Sequence, residues 1–131
     1  MTNTTDILKQ ATDSLLMTSE SEYPFEVIFW SGQGKEPPST QKILQLTDHP
    51  LSSSIEEVEL EYFFRNCAFD KEWHNEIQKV EVNKFKTLLQ TLKDNLNEIK
   101  VYRVGSINID VYIIGKLSED LAGISTKVIE S

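Results

Sequence analysis

"KVYRVGSINIDVYIIG", residues 100–115, holds two apolar runs broken once, at Gly105-Ser106. In the second run Ile107, Ile109, Val111 and Ile113 occupy alternate positions. In an extended chain, side chains point to opposite faces in turn, so these four share one face. A glycine beside a serine between two such runs is a turn signal, and the stretch reads as a hairpin. Ile114 adds an apolar side chain to the other face, which implies a sheet centre covered on both sides. The rest of the chain must therefore extend this sheet or pack against it.

Downstream, "AGISTKVIES" (122–131) alternates through Ala122, Ile124, Val128 and Ile129 and supplies a final strand, with Gly115 to Asp120 as the last loop. Upstream, Phe85, Leu88, Leu89, Leu92 and Leu96 form one apolar stripe between about Val80 and Leu96, while Lys84, Lys86 and Lys93 stay polar. That spacing predicts an amphipathic helix lying on the sheet or on another helix.

The first half is less regular. Ile7, Leu8, Ala11, Leu15 and Leu16 recur at helical spacing after Thr4 and Thr5, either of which can cap the turn. Pro24 in "SESEYPF" interrupts that helix, and "FEVIFW" (25–30) reads as a buried strand. Gly32, Gly34 and the Pro37-Pro38 pair mark a loop, after which Ile43, Leu44 and Leu46 suggest a second strand. Beyond "DHPLSSS", the stretch "IEEVELEYFF" (55–64) reads as a strand with Glu57, Glu59 and Glu61 on a solvated face and Val58, Leu60 and Tyr62 opposite. A helical turn carrying Cys67 is expected to begin at Phe63 and Phe64. Helix, two or three strands, helix, three strands, with tight late connections, make an α+β chain with one largely antiparallel sheet.

A length of 131 residues suits one domain, 1–131, able to bury about two thirds of its unfolded surface. Hydrophobic residues at 39% and charged residues at 26% are globular values, not those of a disordered chain. The single Cys67 has no internal disulfide partner, and no secretory signal or membrane-length apolar run is visible, so a cytoplasmic setting is expected. The net charge of −8 is lopsided: residues 1–65 hold 11 acids against 4 bases, residues 66–131 hold 10 against 9. Such a surface repels nucleic acid and attracts a basic partner.

Motifs that carry chemistry are missing. His49 and His74 lack a second ligand at metal spacing, no glycine turn leads from strand to helix to cradle phosphate, and no serine sits in a Gly-x-Ser-x-Gly turn. Cys67 beside Phe69 reads as core. Carboxylates are the abundant reactive groups. Paired acids serve hydrolases, whereas Glu20, Glu22 and Glu26 around Pro24 read first as a solvated surface loop. Trp73 in "DKEWHNE" stands among polar residues, where it is either an interface anchor or a local staple for the following helix.

Three blocks, "SLLMTSESEYPFEVIFW", "VYRVGSINIDVYIIG" and "LAGISTKVIES", in this order and over nearly the whole chain, resemble the nuclease A inhibitor family. The resemblance implies a three-layer α/β/α sandwich and a protein that is not an enzyme. It implies a stoichiometric inhibitor of a sugar-nonspecific, magnesium-dependent endonuclease that cuts DNA and RNA. It further implies that the last residue, here Ser131 where the family has threonine, helps coordinate the nuclease's magnesium in trans, the inhibitor having no cofactor of its own. Glu20 of the "SES" segment would mimic the scissile phosphate. Glu72 and Trp73 would form a second contact, with glutamate where the family has aspartate. Serine keeps the hydroxyl and, with the terminal carbonyl and carboxylate, offers the hard oxygens that magnesium prefers. Two other readings remain: an interaction module of the same fold with another partner, and an enzyme using its carboxylates in an acid-lined pocket.

Overall fold

Alternation over the last third of the chain becomes adjacent strands, and the leucine stripe becomes the helix that covers them. The computed structural model describes residues 4–13, 15–18, 22–36, 38–65 and 76–130, the side chains of residues 77 and 78 excepted. The elements run α1 (Thr4–Thr12), β1 (Leu16–Thr18), β2 (Glu22–Pro24), β3 (Glu26–Trp30), α2 (Thr40–Leu46), β4 (Ile55–Val58), α3 (Leu60–Phe63), α4 (Glu76–Asn95), β5 (Asn97–Val104), β6 (Asn108–Leu117) and β7 (Asp120–Ile129). The main sheet has the order β3-β7-β6-β5-β4, every neighbouring pair antiparallel, and β1 pairs with β2 separately. This is an α+β fold.

The hairpin expected at 100–115 is present as β5 and β6, with Val104 opposite Asp110. Along β6 and β7, Ile109, Val111 and Ile113 join Ala122, Ile124 and Val128 on one face. There they meet Leu88 and Leu92 of α4, Leu96 just beyond it and Leu8 of α1, in a single apolar cluster. The opposite face carries Tyr102, Ile114 and Leu121 against Ile43 of α2. Ile114 thus does what its break in alternation implied. Gly123 lets β7 lie close to β6, since a Cβ there would stand 1.8 Å from the Ile113 carbonyl oxygen.

Several sequence expectations need correction. Ile43, Leu44 and Leu46 belong to a helix, not a strand: Ser39 is its N-cap, and the Ser39 hydroxyl accepts from the Lys42 N–H at 3.3 Å. Satisfying an orphan donor starts a helix where three apolar residues alone suggested β structure. The strand at 55–64 stops at Val58. From Glu59 the chain turns helical, with Phe63 N–H bonded to the Glu59 carbonyl and Phe64 N–H to that of Leu60. Leu60 and Phe64, four apart, are thereby both buried, while Tyr62 stands 56% exposed under the Arg65 guanidinium. The three glutamates therefore do not share a strand face. The helical turn begins at Leu60 rather than Phe63, and Cys67 lies outside the described residues.

β3 is an edge strand, not a buried one, because β7 is its one partner among the described residues; Phe29 is 46% exposed. β6 continues through Leu117, so the last turn is Ser118-Glu119 alone. Ile107 lies before β6 and is exposed. α1 already includes Thr4 and Thr5 and ends before Leu15 and Leu16; Leu16 opens β1. The "SESEYPF" region, expected as loop, contributes β2, where Pro24 is tolerated on a marginal two-stranded ribbon.

Candidate functional site

β7 runs upward from Asp120 to Ile129, and pairing registers place the end of β5, the start of β6 and the starts of β3 and β4 at the same end of the sheet. The β1–β2 hairpin docks there. Its register puts Thr18 opposite Glu22, and the Thr126 hydroxyl on β7 donates to the Pro24 carbonyl at 3.0 Å and, more weakly, to that of Tyr23 at 3.4 Å. Beyond β7, the Glu130 N–H donates to the Ile107 carbonyl at 2.9 Å, which carries the pairing one residue further.

α4 ends toward the opposite end of the sheet: Leu96, directly after it, packs on Gly115, its Cβ 2.8 Å from where a glycine Cβ would stand. The Phe85 ring meets Phe25, beside the start of β3, at a centroid separation of 6.3 Å. That contact sets the middle of α4 beside the start of β3.

Of the residues singled out from sequence, Glu20, Glu72, Trp73 and Ser131 all lie outside the described residues. The structure fixes their described neighbours instead. In sequence Thr18 and Glu22 flank the first and Glu130 precedes the fourth, these three lying at the Ile129 end of the sheet, while Glu76, at the start of α4, follows the second and third.

Electrostatically this end is acidic. Arg103 on β5 bridges two glutamates: Nη2 to Glu130 Oε1 at 2.5 Å and Nη1 to Glu56 Oε2 at 3.6 Å, with Glu56 directly across the β4–β5 ladder. Asp110 lies 3.4 Å from His49 Nε2 and 4.0 Å from the Lys127 ammonium. Glu22 and Glu26 make no ion pair with a described residue. Beside them a groove of about 350 Å³ opens between Tyr23, Glu26, Asp110, Tyr112 and Lys127. Such a surface can hold a cationic partner by Coulomb attraction, which weakens with salt. Sequence reasoning missed the Arg103 bridge because it depends on the register of β4 against β5, which no local pattern encodes.

Among the described residues, Glu57, Glu61 and Glu98 are ion-paired with lysines rather than set as an acid–base pair. Glu57 is paired with Lys100 at 3.4 Å and Glu61 with Lys93, and these four line a wide groove of about 740 Å³ with Glu59 and Glu98. The hydrogen bond from Lys93 holds the Glu61 carboxyl below the usual carboxylate range. That direction is opposite to the raised pKa of a general acid. Among the described residues no group of three or more His, Cys, Asp or Glu is placed to hold a metal, and no helix is long and apolar enough to cross a membrane.

A profile of the nuclease A inhibitor-like protein family matches residues 2–131, nearly the entire chain. No curated protein matches the sequence significantly.

Proposed function

The chain belongs to the nuclease A inhibitor-like family, and on that premise we propose that it inhibits a sugar-nonspecific, magnesium-dependent endonuclease by occluding its active site. In this reading the Ile129 end of the sheet faces the nuclease. Ser131 brings hydroxyl, carbonyl and carboxylate oxygens toward the catalytic magnesium in trans, matching that ion's preference for hard oxygen ligands. Glu20 substitutes for the scissile phosphate, offering negative charge to the cations that stabilise phosphoryl transfer. Glu72 and Trp73 make a second contact, in which an aromatic ring supplies desolvated area. The inhibitor itself performs no chemistry and works in the cytoplasm against the enzyme.

The observation that carries the proposal is the family match over residues 2–131. Support comes from the described neighbours Thr18, Glu22 and Glu130, which lie at one acidic end of the sheet. The test is DNA cleavage by a nonspecific nuclease with the protein in molar excess; undiminished cleavage defeats the proposal. Deleting Ser131 is expected to weaken inhibition at least tenfold without changing the thermal melt, because the metal ligand goes and the sheet stays. A bulky C-terminal fusion that inhibits as well as the native chain would defeat the chelation step alone.

A further inference from the structure

We propose that Arg103 is a positioning residue for inhibition: by tying Glu130 to Glu56 it holds in place the residue that carries Ser131. This rests on the reading that Ser131 enters the nuclease site. The geometry is asymmetric in a way that suits the role. Arg103 is the sheltered member, its side chain 20% exposed, whereas the Glu56 and Glu130 side chains are 65% and 55% exposed. One guanidinium therefore serves two carboxylates that otherwise repel each other across the sheet end. Its planar fork can bind both acids at once, which a lysine ammonium does less well. The backbone adds a second restraint, from the Glu130 N–H to the Ile107 carbonyl. Glu130 is thus held by its main chain on one side and by its carboxylate on the other.

Exposed ion pairs contribute little to folding, so the tie is weak as a stabilising device. Its effect is positional. Without Arg103, Glu56 and Glu130 lose their common partner and Glu130 keeps only its main-chain bond to Ile107, so a ligand carried beyond Glu130 must be ordered further at the moment of binding.

The experiment is a double-mutant cycle with R103A and deletion of Ser131, reading the inhibition constant against a nonspecific nuclease at low salt. R103A is expected to weaken inhibition about tenfold in the full-length chain and less than twofold once Ser131 is deleted, because the residue that Glu130 carries is then absent. E130Q, which removes the same tie from the other end, is expected to match R103A, and R103K to recover part of the loss. Thermal melts of all variants check folding; should R103A melt early, E130Q carries the cycle. Equal losses with and without Ser131 overturn the positioning role and leave the inhibitor reading standing. Inhibition that survives deletion of Ser131 overturns the positioning role together with the metal-directed step. A wild-type chain that does not inhibit overturns both this inference and the function it rests on.

Discussion

Tyr102 is a phenol held in an apolar setting. It is fully buried on the smaller core face, with Glu57 directly across the β4–β5 ladder. Burial first, and then the adjacent Glu57 carboxylate, push its phenol well above the ordinary tyrosine range; burial and Asp110 act on Tyr112 in the same direction. The sign of the consequence follows from proton counting. Above about pH 10 an unfolded tyrosine ionises while the folded one keeps its proton, so stability present below pH 10 is lost as pH rises. Urea unfolding at pH 8 and pH 11 measures that loss, and Tyr102→Phe is expected to lose less between the two. Equal losses in wild type and variant would place the alkaline sensitivity elsewhere.

At the scale of elements, α2 and α4 show how differently two helices are specified. α4 carries its own signal, since Phe85, Leu88 and Leu92 are buried at helical spacing on one face. α2 has seven residues, below the length at which a helix is stable alone. It is held by the Ser39 cap at one end, the Thr47 N–H bonded to the Ile43 carbonyl at the other, and Ile43 packed on the sheet. Ser39→Ala is therefore expected to lower stability by about 1 kcal/mol, read from chemical denaturation. An unchanged midpoint would mean that Ile43 packing alone forms the helix. Pro38 immediately before the cap, and the polar residues after it, were the sequence clues to this helix; the adjacent Ile43 and Leu44 obscured them.

For the whole molecule, the uneven charge governs encounter rather than fold. With a net charge of −8, most of the excess in the first half, and acids gathered at the Ile129 end, the proposed function predicts that association with a nuclease carrying a cationic site is steered over distances comparable to the Debye length. The association rate measured by stopped flow is expected to fall about tenfold or more between 20 and 300 mM salt, with a smaller change in dissociation. A rate indifferent to salt would exclude steering and leave only short-range contacts at the interface.

The sequence by itself determined the α+β class, the β5–β6 hairpin, β7 and α4, because each has enough residues for its period to be counted. It also carried the family resemblance, whose blocks singled out Glu20 and Ser131 and whose acid–Trp pair singled out Glu72 and Trp73. Short elements escaped it. β4 and α3 share the unbroken run 55–64, and the change from period two to a helical turn became visible only when Leu60 and Phe64 were both seen to be buried. Tertiary structure alone decided that β3 is an edge and that Thr126 anchors the β1–β2 hairpin. It alone joined Arg103 to Glu56 and Glu130, residues 47 and 27 positions away. The physical reason is that local periodicity reports which face of an element is apolar, whereas pairing register and sheet order are settled by the global fit of those faces.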